Sequence, residues 1–290
     1  MVGLDRIKHL SYVLVYLLLV CMATDGFAQE QTRSVKVLTY NVLGGRNTDG
    51  NRDLNRIAQV ISTLNPDIVA LQEVDRHTGR LNGIDLPAEL GRLTGMDHVF
   101  GRAMKYDGGE YGEAILTKFP IVNIKNHTLP TVPVDTTGGS QEEVEPRAAL
   151  AVELKFPGSE STFIFIGTHL DHLRDGRNRN IQAKGLLQIA AEYEGLPVIL
   201  AGDLNSTPES EAIKTLKTYW TDAWPKNKIG GTSPRSNRRI DYILFSPKPR
   251  WKVHRIYRGV DIKKEDPTWQ TLLTLASDHL PVLGELELVK

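Results

Sequence analysis

The sequence predicts an α/β (α+β) protein whose β-strands are covered on both faces. Most of its apolar segments are apolar at consecutive positions, as strands buried on two sides tend to be. Many strand-like segments accompany only three or four segments in which apolar residues recur at helical spacing. Both observations favour two β-sheets packed face to face and flanked by helices. An open doubly wound sheet has the same periodicity, so the pattern alone does not separate the two architectures.

The elements follow from the spacing of apolar residues and from the residues that stop each run. Leu54, Ile57 and Ile61 recur at helical spacing, and Pro66 stops that helix. Helices are predicted at residues 54–64, 87–94, 178–193 and 209–216. Strands are predicted at residues 35–41, 67–71, 113–117, 148–156, 162–168, 197–201, 239–245, 251–257 and 282–288. Residues 131–145, rich in Pro, Gly, Thr and acidic side chains, are predicted to form a loop or lid.

The first 28 residues have the pattern of a secretory signal peptide. Arg6 and Lys8 precede an apolar run at residues 10–22, and small residues follow up to Ala28. About 13 apolar residues are too few to cross a bilayer comfortably. Cys21 suggests a lipoprotein as an alternative, but Val20 stands where a small residue is required. We therefore expect cleavage after Ala28 and export to the periplasm or the medium, which leaves residues 29–290 as a single domain without cysteine.

The charge of the chain limits its possible partners. It has 35 basic and 35 acidic side chains, so its net charge is near zero. Proteins that stay bound to nucleic acid usually carry a basic excess, because neutralising phosphates supplies much of their affinity. This balance counts against tight nucleic-acid binding, but not against a hydrolase that releases its product. We expect a monomer without stable membrane insertion.

Polar residues stand at or near the ends of the predicted strands. They are Asn41, Glu73, His169, Asp203 with Asn205, Asp241, and Asp278 with His279. Taken singly, each has a structural explanation, such as a turn or a surface carboxylate. Carboxylates that meet at one edge of a sheet repel each other unless a cation lies between them. Their oxygens suit Mg²⁺ or Mn²⁺, so the joint pattern predicts a divalent-metal site.

The ordered motifs resemble those of the endonuclease/exonuclease/phosphatase family, which includes DNase I, exonuclease III-type endonucleases, inositol polyphosphate 5-phosphatases and bacterial sphingomyelinases. The resemblance covers essentially the whole chain from residue 35 onward. It is carried by Thr39-Tyr40-Asn41, Leu71-Gln72-Glu73, Thr168-His169-Leu170, Gly202-Asp203-Leu204-Asn205, Arg239-Ile240-Asp241-Tyr242 and Ser277-Asp278-His279. It implies a four-layered α/β sandwich, in which two packed mixed β-sheets are flanked by helices, and a site where the loops of the two sheets meet.

The resemblance also implies roles for these residues in the hydrolysis of a phosphoester. Glu73 is expected to be the principal ligand of Mg²⁺ or Mn²⁺, with Asn41 and Asp278 close to the same ion. Asp203 is expected to orient or deprotonate the attacking water, and Asn205 to hold Asp203 and the phosphate. His279 is expected to donate a hydrogen bond to a phosphate oxygen, while Asp241 fixes its tautomer.

Two further assignments come from the same resemblance. Arg147 matches a family arginine that contacts the phosphate, and its alternative is a solvated charge at a strand end. Tyr111 and Glu113 match a Tyr-x-Glu arrangement of the DNase I branch, whose carboxylate supports the second histidine, here His169. Such a pair would make His169 more basic. Otherwise Glu113 is only the polar start of a strand.

The substrate is less well defined by the sequence. Two basic clusters could hold a polyanion such as DNA, RNA or a phosphorylated sugar, or could be solvated loops. They comprise Arg174, Arg177 and Arg179, and Arg235, Arg238 and Arg239. The leading hypothesis is a phosphodiesterase, specifically a nuclease. The main alternative is a phosphomonoesterase or a hydrolase of lipid head groups such as inositol phosphate or sphingomyelin. A catalytically dead binding protein is a third alternative, which the intact motifs disfavour.

Overall fold

Two six-stranded β-sheets form the centre of the protein in the computed structural model, which describes residues 33–133, 144–225, 228 and 230–289. The first sheet has the order β11-β12-β1-β2-β4-β3 and the second the order β5-β6-β7-β8-β10-β9. The strands are β1 Ser34–Asn41, β2 Ile68–Arg76, β3 Asp97–Tyr106, β4 Gly109–Thr117, β5 Ile121–Thr128, β6 Ala148–Lys155, β7 Thr162–His169, β8 Val198–Asp203, β9 Thr221–Asp222, β10 Asp241–Ser246, β11 Trp251–Arg258 and β12 Val282–Leu288. The predicted signal peptide and residues 134–143 of the predicted loop lie outside the described residues.

Helices cover the outer faces of both sheets. In the described ranges they are α1 Leu54–Leu64, α2 Leu86–Thr94, α3 Arg177–Ala191, α4 Glu211–Leu216 and α5 Pro267–Ala276. Helices α1, α2 and α5 pack on the first sheet, and α3 and α4 pack on the second. None of the helices described is both long and apolar enough to cross a membrane.

Three apolar layers hold this sandwich together. The central layer lies between the sheets and includes Val37, Ile68, Leu150 and Phe165. The neighbouring residue Leu38 instead points outward into the layer beneath α1. Because successive strand residues face opposite layers and both layers are apolar, the strands read as continuous apolar runs. The four-layered sandwich is confirmed, and the open doubly wound sheet is excluded.

The strand register brings three of the predicted polar residues side by side. β7 and β8 are parallel, with His169 opposite Asp203. β8 and β10 are antiparallel, with Asp203 opposite Asp241. The ends of β7 and β8 and the start of β10 therefore place a histidine and two carboxylates side by side in the second sheet. In the first sheet, the parallel pair β1 and β2 places Asn41 opposite Gln72.

Several elements differ from the sequence prediction. Strand β2 does not end before Glu73 but continues to Arg76. Strands β3, β5 and β9 and helix α5 were not predicted. Strands β3 and β5 lie at sheet edges and carry exposed polar residues at many positions, so they lack the apolar run that identifies a buried strand. Helix α5 begins at Pro267 behind Asp266, whose side chain accepts hydrogen bonds from the first-turn amides.

Candidate active site

Glu73 lies on an irregularity inside β2. The pairing of β2 with β4 shifts register between Leu71 and Val74, so that Gln72 and Glu73 form a bulge. Glu73 has a φ of 56°, an unfavourable backbone conformation for a residue with a side chain. Bulges redirect side chains and are common next to functional sites. The bulge explains how Glu73 reaches the site although its strand continues beyond it.

Asn41 links the carboxylates of the two sheets. Its Nδ2 donates to Glu73 Oε1 at 2.9 Å and to Asp203 Oδ2 at 3.3 Å. Its Oδ1 accepts a hydrogen bond from the backbone N–H of Leu43 at 3.1 Å. Glu73 comes from the first sheet and Asp203 from the second, so the site lies where the two sheets meet.

Asp203 is buried and is the most heavily contacted carboxylate of the site. Its Oδ1 accepts from the backbone N–H of Asn205 at 2.9 Å. Its Oδ2 lies 3.5 Å from His169 Nε2 and 3.7 Å from His279 Nε2. Burial and the nearby charge of Asp241 raise the pKa of Asp203 to about 7. A carboxylate with such a pKa is suited to exchange a proton near neutral pH.

His279 is held by a second carboxylate. Its Nδ1 lies 3.1 Å and 3.2 Å from the two oxygens of Asp241. Burial lowers the pKa of His279, but the carboxylates of Asp241 and Asp203 outweigh burial and raise it to about 10. His279 is therefore an imidazolium in this arrangement, with Nε2–H directed at Asp203. The predicted support of His279 by Asp241 agrees with this geometry.

His169 has a positively charged partner instead. Arg147 Nη1 lies 2.9 Å from His169 Nδ1, and burial together with the charge of Arg147 lowers the pKa of His169 well below its usual value. Because a guanidinium can only donate, Nδ1 must accept and Nε2 must carry the ring proton. His169 is thus neutral, and its Nε2 lies 3.5 Å from Asp203 Oδ2, the acceptor within its reach. Nε2 also lies 2.9 Å from Asn205 Nδ2, a donor that gives its hydrogen bond to the backbone carbonyl of Leu170.

The expected pairing of Glu113 with His169 is wrong. Glu113 is 1% exposed in the middle of β4, and its Oε2 has no hydrogen-bond partner among the described residues. Arg147 occupies the Nδ1 side of His169. Burial raises the pKa of Glu113 to about 8, although the charge of Arg147 opposes that rise. His169 is consequently less basic than a free histidine, the opposite of what the Glu113 pair would cause.

Arg147 is not the solvated strand-end charge of the alternative interpretation. It is only 2% exposed, and its Nη2 donates to Glu145 Oε2 at 2.7 Å and lies 3.1 Å from His172 Nδ1. Buried arginines with a guanidinium facing a cavity are common in sites that bind phosphate or carboxylate groups.

A cavity of about 320 Å³ lies in front of these residues. Its lining includes seven of the predicted site residues, namely Glu73, Tyr111, Arg147, His169, Asp203, Asn205 and His279. Five further residues line it without having been predicted as site residues: Arg80, Met104, Tyr106, Glu145 and His172. Of these, His172 was accessible from the sequence, because it follows the His169 motif directly. The others belong to no recognisable motif.

Four predicted site residues do not line this cavity. Asp241 and Asn41 lie behind it and contact His279 and Glu73 respectively, whereas Glu113 is enclosed beside Arg147. Asp278 is directed elsewhere, with its Oδ2 3.5 Å from Arg235 Nη1.

Most of the two predicted basic clusters serve the structure. Arg239 pairs with the partly buried Asp222 at 2.7 Å, and its guanidinium lies 4.3 Å from the ring centre of Tyr242. Arg179 donates to backbone carbonyls of the loop before α3, and Arg177 pairs with Asp175 at 2.7 Å. These three side chains are committed to intramolecular contacts, so they are poor candidates for binding a polyanion.

The donors around Asn41 fit a divalent cation. Glu73 and Asp203 come from different sheets, and one oxygen of each accepts a hydrogen bond from Asn41 Nδ2. Two carboxylates therefore lie close together, and carboxylate oxygens are hard ligands of the kind that bind Mg²⁺. A different group, Asp203, Asp241 and His279, has ligand atoms within 4.8 Å of one another. In that group the imidazolium of His279 already lies between the two carboxylates, so their charge is offset without a metal. The geometry therefore favours the Glu73 side.

The comparisons agree with this architecture. A model described as the Endonuclease/Exonuclease/phosphatase family matches residues 38–279. The uncharacterised protein YbhP of Escherichia coli K12 is 28% identical over 274 residues, which is 90% of this chain and 99% of YbhP. The carbon catabolite repressor protein 4 homolog 3 of Arabidopsis thaliana is 26% identical over 198 residues, which is 60% of this chain and 40% of that protein.

Solved structures share the fold at lower identity. The catalytic domain of human nocturnin, solved with a bound sulfate anion, has a TM-score of 0.67 and 20% identity, over 89% of this chain and 96% of that one. The mannosyl-6-phosphatase Bt3783 of Bacteroides thetaiotaomicron has a TM-score of 0.62 and 23% identity, over 87% of this chain and 99% of that one. At such identities the likeness concerns the fold alone.

Proposed function

Because the chain belongs to the endonuclease/exonuclease/phosphatase family, whose members hydrolyse phosphoesters, we propose that it is an exported, Mg²⁺-dependent phosphodiesterase that acts on nucleic acid. One observation carries this proposal: a carboxylate, an imidazolium, a neutral histidine and an arginine converge on a single cavity from both sheets. They are Asp203, His279, His169 and Arg147. In-line hydrolysis needs an acceptor for the proton of water and donors for the phosphate oxygens, and this set supplies both.

Asp203 is the proposed base. Its Oδ1 is fixed by the backbone N–H of Asn205, and its Oδ2, which lies near Asn41 and both histidines, is the oxygen proposed to accept a proton from the attacking water. Burial and Asp241 bring its pKa to about 7, so the carboxylate is partly ionised at neutral pH and also basic enough to take that proton.

Three donors are proposed to hold the phosphate oxygens. His279 offers a charged Nε2–H, His169 a neutral Nε2–H, and Arg147 a buried guanidinium. Negative charge on the phosphate oxygens increases towards the transition state, so donors that are already oriented stabilise it more than the ground state. As the family resemblance implies, water is proposed to attack phosphorus in line, without a covalent intermediate on the protein.

Glu73 and Asn41 are the proposed holders of Mg²⁺, and Asp278, whose Oδ2 now lies 3.5 Å from Arg235 Nη1, would have to turn towards the ion to join them. When bound, the ion would act as a Lewis acid on a phosphate oxygen. Mn²⁺ has the same preference for hard oxygen donors, so both ions belong in the assay.

Hydrolysis of a defined set of substrates tests the proposal. Plasmid DNA, bis-para-nitrophenyl phosphate, para-nitrophenyl phosphate and inositol phosphates are incubated with Mg²⁺, Mn²⁺ or EDTA. We expect hydrolysis of plasmid and of the diester with either ion and none in EDTA. Asp203→Asn serves as the catalytic control. Hydrolysis of monoesters alone would contradict the phosphodiesterase proposal.

A phosphomonoesterase is the second candidate, and the size of the cavity favours it. A volume of about 320 Å³ is at the lower end of the range for small-molecule sites, so it suits a compact phosphorylated compound. The same set of substrates separates the two candidates, because a monoesterase would cleave para-nitrophenyl phosphate or inositol phosphates and leave the diesters intact.

Export rests on the pattern of the first 28 residues. Fractionation of expressing cells, followed by N-terminal sequencing, would locate the protein and identify its first residue. An N-terminus at Gln29 outside the cytoplasm is expected. Intact protein that retains Met1 in the cytoplasm would contradict export.

A further inference from the structure

A second, smaller cavity adjoins the one described above. It has a volume of about 140 Å³. Its lining consists of Leu43, Gly44, Arg46, Arg52, Glu73 and Arg80. Glu73 and Arg80 also line the larger cavity, so these two side chains form the wall that both cavities share. A ligand group in the smaller cavity would therefore be a close neighbour of a group in the larger one.

The smaller cavity is strongly basic. Within the described residues, Arg46 and Arg52 have no carboxylate in ion-pair distance, whereas most other arginines near the site do. Arg80 is held rigidly, because its Nε and Nη2 each donate to the buried carboxylate of Asp75 at 2.6 Å. Its guanidinium also stacks over Tyr106, 4.4 Å from the ring centre. The exposed side chains of Arg46 and Arg52 and the guanidinium of Arg80, which Asp75 fixes, thus border a space whose lining contains one carboxylate, that of Glu73.

A glycine keeps this space open. Gly44 has a φ of 64°, which favours glycine, and a Cβ at this position would lie 3.0 Å from Arg80 Nη2. Any side chain at residue 44 would thus press on Arg80 and intrude into the smaller cavity. The turn that contains Gly44 directly follows Asn41, so the backbone that leads away from the proposed metal ligand also forms a wall of the basic cavity.

We propose that the smaller cavity binds a second phosphate group of the substrate, next to the one that is hydrolysed in the larger cavity. This inference rests on the proposed function and specifies its substrate as a compound with two neighbouring phosphates. Arginine suits this task because its planar fork of N–H donors matches the oxygens of a phosphate. Most arginines of the two clusters identified in the sequence bind carboxylates or backbone carbonyls of this chain. Arg46 and Arg52 instead line a cavity that also contains Glu73.

Matched pairs of substrates that differ by one phosphate test this proposal. The pairs are dTpdT against its 5′-phosphorylated and 3′-phosphorylated forms, and inositol 4-phosphate against inositol 4,5-bisphosphate, whose phosphates are on adjacent carbons. Both nucleic acid and phosphorylated polyols carry neighbouring phosphates, and the two arms distinguish them. We expect the additional phosphate to raise kcat/KM by about tenfold in at least one pair, as for one charge-assisted contact. In the double variant Arg46→Gln/Arg52→Gln this ratio falls towards one.

The control variant is Arg255→Gln. Arg255 is an exposed arginine on β11, an edge strand of the first sheet, and its substitution should preserve the full ratio although it also removes a positive charge. Hydrolysis of bis-para-nitrophenyl phosphate, which has one phosphate, reports the proposed function separately. If that diester is cleaved but no pair shows the advantage, or the double variant keeps it, the second-phosphate site is wrong and the phosphodiesterase stands.

A binding measurement tests the second-phosphate site independently of hydrolysis. Calorimetric titration of the same pairs into the protein in EDTA needs no turnover. We expect the compound with two phosphates to bind about tenfold more tightly to wild-type protein and to Arg255→Gln, but not to Arg46→Gln/Arg52→Gln. If no substrate is hydrolysed but this difference in affinity is found, the phosphodiesterase proposal fails and the anion site stands. Equal affinities for both members of every pair would overturn the anion site.

Discussion

His279 and His169 contact the same carboxylate oxygen, Asp203 Oδ2, but their other ring nitrogens face groups of opposite charge. His279 Nδ1 contacts Asp241, and despite burial the carboxylates raise its pKa to about 10. His169 Nδ1 contacts Arg147, and burial together with that charge lowers its pKa well below the usual value. The partner of the distal nitrogen therefore decides the charge of each ring. One cavity therefore contains a histidine that favours the charged form and a histidine that favours the neutral form.

Removal of the shared carboxylate should have the largest effect. Asp203→Asn keeps the shape of the side chain but cannot accept a proton from water. We expect kcat to fall by about 10³-fold. Circular dichroism should show an unchanged fold. Activity within tenfold of wild type would mean that another group acts as the base.

Substitution of the two histidines should lower kcat to different extents. His279→Gln removes a charged donor, so we expect a loss of about 10² to 10³ in kcat. His169→Gln replaces one neutral donor by another, so we expect a loss of only about tenfold. Steady-state kinetics on bis-para-nitrophenyl phosphate measures both. Equal losses would contradict the assignment of different charge states.

Substitution of Asp241, which contacts His279 Nδ1, should bring the pKa of His279 closer to that of an ordinary histidine. In metal-free protein, NMR titration should show His279 protonated throughout pH 5 to 8, and His169 should titrate well below the usual pKa of a histidine. In Asp241→Asn the titration of His279 should move down into that range. We also expect a loss of about 10-fold to 100-fold in kcat, as for other residues that orient a catalytic group. An unchanged titration of His279 would show that Asp241 does not set its charge.

Both shifts also affect stability, with opposite dependence on pH. The raised pKa of His279 contributes stability that is fully present below its unfolded pKa, about 6.5, and is lost as pH rises towards 10. The lowered pKa of His169 costs stability below about 6.5, because the unfolded chain then binds a proton that the folded chain does not. Urea unfolding of His279→Gln and His169→Gln against pH should show these opposite trends. Parallel pH profiles would contradict them.

The smallest effect is expected for Glu113→Gln, and it is an effect on stability. Its pKa is raised to about 8, so the folded protein loses stability as pH rises from its unfolded pKa of about 4.5 through 8. Glu113→Gln should remove this loss and raise Tm by a few degrees (about 2 to 4 °C) at pH 8 but not at pH 5. The NMR titration of His169 should stay the same, because Glu113 is already neutral. A shifted titration would mean that Glu113 does carry charge beside Arg147.

The sequence contained the chemistry of the site but not its connections. Asp203, Asp241 and His169 stand at strand ends, so their convergence at a sheet edge was predictable. Which histidine receives Asp241 and which receives Arg147 depends on the register of β7, β8 and β10, and no apolar pattern encodes that register. The resemblance assigned Asp241 to His279 correctly, but it paired Glu113 with His169, where the structure places Arg147.

Most of the cavity residues that were not predicted belong to no sequence motif. Arg80 lies in the connection between β2 and β3, and its pairing with Asp75 places it at the cavity. Tyr106 is the last residue of β3, and the β3–β4 hairpin places it beside Arg80. The bulge at Glu73 was also not predicted, because the polar residues from Gln72 to Arg76 indicate the end of the apolar run and not a strand that continues through a bulge. Long-range pairing positions these residues, and local pattern does not report it.

The central claim is that Asp203, between two histidines of opposite charge, supports metal-dependent hydrolysis of a phosphodiester. Hydrolysis of bis-para-nitrophenyl phosphate by wild-type and Asp203→Asn protein tests it most directly, first with Mg²⁺, then in excess EDTA, then with Mg²⁺ restored. We predict activity in wild-type protein that EDTA abolishes and Mg²⁺ restores, and a residual activity of about 10⁻³ in the variant. Hydrolysis that persists in EDTA, or that survives in Asp203→Asn, would contradict the claim.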